Sequence, residues 1–174
     1  ELGVDVYPSV SSASDALRSS DLVILAVKPT VAPQVLDQLR AAVPDKAERR
    51  FTFISIAAGL TIDDMRTTLE SDRIFRAMPN TPSTVGEGMT VWCADQAVDE
   101  ETRGKIQQLF ASCGEEELVE DENVLDIATA ISGSGPAYVL MVMESMVESA
   151  VHMGLPRDLA TRLVEQTMLG TALF

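Results

Sequence analysis

Apolar residues change their spacing along this chain, and the changes mark out its elements. Leu22-Val23-Ile24-Leu25-Ala26-Val27 is short and continuously apolar, the pattern of a strand covered on both faces of a parallel sheet. Val31, Val35, Leu36, Leu39 and Val43 then fall at helical spacing, and Pro44-Asp45 ends that run. Phe51 to Ile56 is rich in β-formers and predicts the next strand. Ala57-Ala58-Gly59 is a turn of small residues. Thr61 predicts an N-cap, with Asp63 and Asp64 in the first turn where the helix dipole favours acids. Arg73 to Ala77 predicts a third strand, closed by Met78-Pro79-Asn80-Thr81-Pro82. Gly88 to Cys93 predicts another strand. Glu100 to Ser112 predicts an amphipathic helix with Ile106, Leu109 and Phe110 on one face, and Glu117 to Glu120 a last edge strand.

From Glu122 onward the pattern is helical alone. Ser132-Gly133-Ser134-Gly135-Pro136-Ala137-Tyr138 combines small residues with a proline suited to the start of a helix, so it predicts a junction, a helix start and a possible ligand wall. Ala137 to Met153 is almost wholly apolar, carrying only Glu144 and Glu148 as acids. A helix apolar most of the way round must be buried in something larger, which predicts a partner subunit or further helices. Tyr138 is expected buried on this helix. Pro156 opens a further helix with Leu159, Leu163, Gln166 and Leu169 near its inner stripe. The fold class is therefore α/β: a doubly wound Rossmann-type sheet over residues 1–121, then an all-helical domain over 122–174.

Composition narrows the partners. The formal net charge is -14, and such a surface repels phosphate backbones and anionic lipid heads, arguing against nucleic acid and membrane as partners. No run of about 18 apolar residues is free of charge, so no membrane span is expected. Cys93 and Cys113 are far apart and His152 is the one histidine, which argues against a metal site and for reduced, cytosolic thiols. The chain opens on Glu1 and closes on Leu173-Phe174 within an apolar run, and we expect an internal piece of a longer protein.

Candidate chemistry follows from the strand ends. In an open parallel sheet, ligands bind beyond the carboxyl ends of the strands. Three such ends are legible here: Ala26-Val27-Lys28-Pro29, Ile56-Ala57-Ala58-Gly59 and Met78-Pro79-Asn80-Thr81. Small residues and exposed backbone suit the flat ring or ribose of a cofactor, and Lys28 is a cation where its anionic part would lie. A GxGxxG phosphate loop is absent from the sequence; Gly86-Glu87-Gly88 and Gly133-Ser134-Gly135 lack its third glycine. Glu122 stands where the two domains are expected to meet.

The words Ala26-Val27-Lys28-Pro29, Ser55-Ile56-Ala57-Ala58-Gly59, Arg76-Ala77-Met78-Pro79-Asn80-Thr81-Pro82, Ser132 to Tyr138 and Met153-Gly154-Leu155-Pro156-Arg157 resemble, in order and spacing, pyrroline-5-carboxylate reductase. The resemblance implies NADPH- or NADH-dependent reduction of Δ1-pyrroline-5-carboxylate to L-proline, the last step of proline synthesis. It implies a cytoplasmic enzyme with a helical domain that pairs into a homodimer or larger ring. By similarity, Ala26, Val27, Lys28, Pro29, Ile56, Ala57, Ala58, Gly59 and Asn80 would contact the cofactor, and Glu122 the substrate amine. The phosphate loop would precede Glu1 and a substrate-carboxylate segment would follow Phe174, so no catalytic residue is assigned and this stretch by itself is expected to be inactive. Two other readings stay open. One is a dehydrogenase of the β-hydroxyacid type, with Lys105 as the lysine to test. The other is a nucleotide-binding or oligomerising module without chemistry.

Overall fold

The computed structural model describes residues 3–174, and two compact units part after Gly133. In the first unit a short helix, α1 (Ser14–Ser19), precedes β1 (Leu22–Leu25), α2 (Ala32–Ala42), β2 (Thr52–Ser55), α3 (Ile62–Leu69) and β3 (Ile74–Met78). Then come β4 (Gly88–Ala94), α4 (Glu100–Ala111), β5 (Gly114–Leu118) and α5 (Val124–Ala128), which runs into a wider π-helical turn over Thr129–Gly133. The strands lie in the sheet in chain order. β1, β2 and β3 are mutually parallel, with Leu25 opposite Ser55 and Ser55 opposite Arg76.

β4 reverses direction against β3 and β5 runs parallel to β4. The reversal follows from the connection. A helix carries the chain back across the sheet between the parallel strands, whereas only the tight turn Thr81–Val85, ended by Gly86 at φ 78°, joins β3 to β4. Parallel pairing needs a crossover of a dozen or so residues, and this link is too short for one.

Alternation along the strands divides the core in two. Leu25, Phe53, Ile74 and Cys93 face Leu36 and Leu39 of α2, Met65 and Leu69 of α3, and Leu125 of α5. Ile54, Phe75, Ala77 and Trp92 face Ile106 and Phe110 of α4. Trp92 sits between Phe75 and Phe110, at ring-centroid distances of 5.9 and 5.6 Å, and its indole N–H donates to Glu116 at 2.6 Å.

Some expectations are corrected. β1 is not covered on both faces: Leu25 is buried but Ile24 is 49% exposed, because β1 is an edge strand paired only with β2 and the side of Ile24 is open among the described residues. Leu109, expected on the buried face of α4, is half-exposed, and Ile106 and Phe110 alone are buried there. The last strand begins three residues earlier than its pattern suggested. Gly114 enters it at φ 136°, opposite Gly88, and a Cβ at 114 would collide with the Gly88 backbone. The strand therefore starts where two glycines allow close approach, and the acids Glu115 and Glu117 follow on an exposed edge.

The second unit is a pair of helices, α6 (Gly135–His152) and α7 (Arg157–Leu173). Pro136 lies in the first turn of α6, as its spacing predicted. Ala160 and Val164 are the buried residues of α7, and α6 buries none. Leu159, Leu163 and Leu169 were expected inside and instead stand exposed. The smaller Ala160 and Val164 take the buried positions on α7. Tyr138, expected buried, is 56% exposed. Arg157 bonds to Glu148 at 2.7 Å, and a cleft of about 680 Å³ between the two helices is lined by Met141, Ser145, Met146, Ser149 and Leu163. Among the described residues one helical run, Val124–His152, is long and apolar enough by length and composition to cross a membrane, and its apolar stretch is mostly not buried. The expectation of no such segment therefore does not hold on composition.

Candidate functional site

Because β1, β2 and β3 run parallel, their carboxyl ends leave the sheet along one edge. The three predicted strand-end segments share that edge. Ala26, Lys28 and Pro29 are exposed after β1, and the Ile56 amide still donates to Leu25 O at 3.1 Å, so the first two segments leave side by side. Pro29, Ala58 and Gly59 line one pocket of about 420 Å³ together with Leu36 and Asp64.

The members of this wall are not equivalent. The Ala57 side chain is buried and Ile56 packs into the α4-side core, so these two present only backbone to the edge. The Ala57 amide donates to Ser55 Oγ at 3.2 Å. Ala58 is half-buried and Gly59 exposed. Gly59 stands at φ 76°, in the left-handed region that glycine adopts without strain, with open space where a Cβ would point. Beyond it, Thr61 caps α3 as predicted: its side chain accepts from the Asp64 amide at 3.1 Å, and Asp64 Oδ2 accepts from the Thr61 amide at 3.3 Å, completing a capping box.

Asn80 shares the edge but its side chain turns away from that pocket. Its Nδ2 donates to Ser132 O at 3.0 Å and its Oδ1 accepts from the Met89 amide at 2.9 Å. The amide group therefore ties the end of β3 to the start of β4 and to the π-helical turn.

Glu122 lies at the approach to α5, 29% exposed at its side chain. Its Oε1 accepts from Arg76 Nη1 at 2.9 Å and from the Ile62 amide, at the start of α3, at 2.9 Å. Arg76 is 4% exposed in the middle of β3 and gives its Nη2 to Asp126 at 2.6 Å. Burial works against the guanidinium charge, but the bonds and charges of Glu122 and Asp126 outweigh it and hold its pKa above the usual arginine value. One cation against two carboxylates leaves the cluster with a formal charge of -1.

Arg76 was not singled out from the sequence as functional. The signal was available: a charged residue inside an otherwise apolar strand must find a partner. Its cross-strand neighbour Cys93 is buried. Burial first, then the nearby Glu122 charge, pushes the Cys93 thiol up to about 12, against a smaller opposing effect of Arg76. A thiol so held stays protonated at neutral pH and is a poor nucleophile. Cys93 and Cys113 are both free thiols.

Lys105 is placed elsewhere. It is paired with Glu101 at 2.7 Å on α4 and lines a groove with Asp21, Leu22, Thr52 and Arg73. Those residues stand at or just before the amino ends of β1, β2 and β3, so Lys105 belongs to the edge opposite the strand-end wall.

Comparisons with known proteins fit this geometry. Residues 122–174 match the family model described as pyrroline-5-carboxylate reductase dimerisation, and residues 1–59 match the one described as NADP oxidoreductase, coenzyme F420-dependent. The pyrroline-5-carboxylate reductase of Synechocystis is 42% identical over 159 residues, covering 91% of this chain and 57% of that protein. The Arabidopsis thaliana enzyme of the same name is 36% identical over 170 residues, covering 98% and 59%. Among solved structures, Plasmodium falciparum pyrroline carboxylate reductase with NADP bound superposes with a TM-score of 0.83 at 35% identity, covering 95% of this chain and 60% of that one. The Coxiella burnetii reductase gives 0.80 at 34%, covering 98% and 61%. The chain thus spans about three-fifths of the length of these relatives. In sequence and in fold, it corresponds over nearly all its length to a stretch of the pyrroline-5-carboxylate reductases.

Proposed function

We propose that the protein carrying this chain reduces Δ1-pyrroline-5-carboxylate to L-proline with NADPH or NADH, the closing step of proline synthesis, as a cytoplasmic enzyme. The observation that carries the reading is the shared edge of three parallel strand ends, made of small residues and open backbone, in a chain similar to reductases of that name.

The residues present suit one wall of a dinucleotide site. Ala26, Ala58 and Gly59 have little or no side chain, so a flat ring or ribose approaches the backbone there. Lys28 adds an exposed cation at the end of β1. We assign Ala26, Val27, Lys28 and Pro29, with Ile56 to Gly59 and the backbone at Asn80, to that wall. A reduced nicotinamide, when bound, supplies the hydride for the imine carbon, and a proton ends on the ring nitrogen, so the C=N bond becomes CH–NH.

Hydride addition to an imine is favoured when its nitrogen is protonated. Glu122 is the carboxylate proposed on the substrate side. Its Oε2 has no hydrogen-bond partner among the described residues, and the net charge of the Arg76 cluster is negative, a field that favours a cationic imine. Positioning of donor and acceptor carries much of the rate in such reactions.

We further propose a homodimer or larger ring built through α6 and α7. The exposed apolar residues of α6, among them Leu140 and Met141, are read as facing a partner subunit and not lipid. The functional boundary is put at 121/122, where the dimerisation model begins, although the compact units part at 133/134. The dehydrogenase reading loses support from the place of Lys105, on the sheet edge away from the strand ends.

The test uses the longest open reading frame containing this chain. Adding pyrroline-5-carboxylate should cause NADPH or NADH oxidation at 340 nm, and 3-hydroxyisobutyrate with NAD should give no reduction. The reverse pattern would overturn the reading.

A further inference from the structure

One face of β3, continued through Asn80 just past its end, touches the segment 122–133 at both of its ends. Side chains two apart in an extended chain point to one side, and here Arg76, Met78 and Asn80 do so in succession. Arg76 holds Glu122 at 2.9 Å and Asp126 at 2.6 Å. Gly133 packs so closely on Met78 that an added Cβ would lie 2.8 Å from Met78 Cε. Asn80 holds the Ser132 carbonyl at 3.0 Å.

Between these points the segment is anchored by Leu125, which is 1% exposed in the core. Past Leu125 the helix widens into its π-helical turn, a form that recurs at functional sites. There Thr129 Oγ1 donates to Leu125 O at 2.7 Å and Ser132 Oγ to Ala128 O at 3.0 Å. Both polar clasps are built to be specific. The buried guanidinium has two carboxylates on separate nitrogens, a fork that a lysine cannot reproduce. The Asn80 amide has a donor partner and an acceptor partner, both main-chain groups.

We propose that Arg76 and Asn80 are positioning residues: from β3 and the extended residues just past its end they grip both ends of the segment 122–133 and so set where Glu122 and the Ser132-Gly133 turn stand beside the strand-end wall. The inference rests on the reductase reading for the role of Glu122, but the grip itself is independent of it. Neither residue touches the reacting atoms. Arg76 acts through Glu122, and Asn80 through the main chain at Ser132.

The experiment compares Arg76→Lys, Arg76→Met, Asn80→Asp and Asn80→Ala with the parent protein, expressed from the longest open reading frame. Hydrogen exchange, measured without cofactor, should speed up about tenfold or more for amides of 122–133 in the Arg76 variants, and for the amides near 129–133 alone in the Asn80 variants. Exchange in β1 and β2 should not change. KM for pyrroline-5-carboxylate should rise about tenfold or more in Arg76→Lys, with the dissociation constant for NADPH within about twofold of the parent. Arg76→Lys should retain more activity than Arg76→Met. Asn80→Asp keeps the acceptor for Met89 and loses the donor to Ser132, so it tests that half alone, and it and Arg76→Lys keep the test alive if a larger truncation fails to fold. Folded variants with unchanged exchange in 122–133 would overturn the grip. Faster exchange with unchanged KM, or with KM and the NADPH constant moving together, would overturn the positioning role. A parent protein that turns over no pyrroline-5-carboxylate would overturn the reductase reading, and the exchange data would still decide the grip.

Discussion

Helices α3 and α6 answer the same question in opposite ways. α3 is short, begins at a capping box, and buries Ile62, Met65 and Leu69 against the sheet while Asp63 and Arg66 face solvent. Its apolar stripe is as wide as the surface it meets. α6 is more than twice as long and apolar on nearly every side, yet buries no residue. An amphipathic helix is completed by the chain that carries it, whereas a helix apolar all round demands cover on more faces than one neighbour supplies. The difference shows where this chain is self-sufficient and where it requires another surface.

Truncation is the sharpest way to break that contrast. Met65→Ala should cost about 2–5 kcal/mol in urea unfolding of the sheet-bearing unit, whereas Met146→Ala on α6 should cost that unit less than about 0.5 kcal/mol. Similar costs for both would mean that α6 is part of the same cooperative core.

In alkaline titration the thiols report on the sheet-bearing unit alone, since the α6–α7 pair contains no cysteine. The folded-state pKa of Cys93 lies above its ordinary 9.0, at about 12. The folded protein therefore keeps that proton longer than the unfolded chain does. Its contribution is complete below pH 9 and is lost as pH rises toward 12, by at most about 4 kcal/mol. Unfolding midpoints of Cys93→Ala measured across this range should fall less steeply than those of the parent.

Charge on α6 should separate association from folding. Leu140→Glu, in the longest open reading frame, should turn the proposed homo-oligomer into monomers by light scattering and leave the melting of the sheet unit unchanged. A variant that stays associated would move the proposed interface off this face. The smallest effect is local: Thr61→Ala removes the cap of α3 and should cost about 1 kcal/mol, with no change in association.

What the sequence revealed divides along the same line. Local features were legible: the Thr61 cap, the proline at the start of α6, the three strand ends with their small residues. Each is decided by a few neighbours. Features that depend on distant partners were not. The reversal of β4 hangs on the shortness of one loop, and the exposure of Ile24 on its strand lying at the sheet edge. β5 was displaced in the pattern because Glu115 and Glu116 look like loop residues, and only the facing Gly88 and Gly114 explain where it begins. Glu122 was picked out where the two domains were expected to meet, but the group that holds it, Arg76, comes from β3, and its one sign in the sequence was a charge inside an otherwise apolar strand. Buried ion pairs across such separations become visible only when the charged member is recognised as being inside.

The indole of Trp92 has a practical consequence. It is the chain's single tryptophan, and it sits in the interior of the sheet-bearing unit. Its emission therefore reports the melting of that unit alone, whereas far-ultraviolet circular dichroism sums both. Superimposable curves from the two signals would mark one cooperative transition, and a gap between them would measure how independently the paired helices come apart.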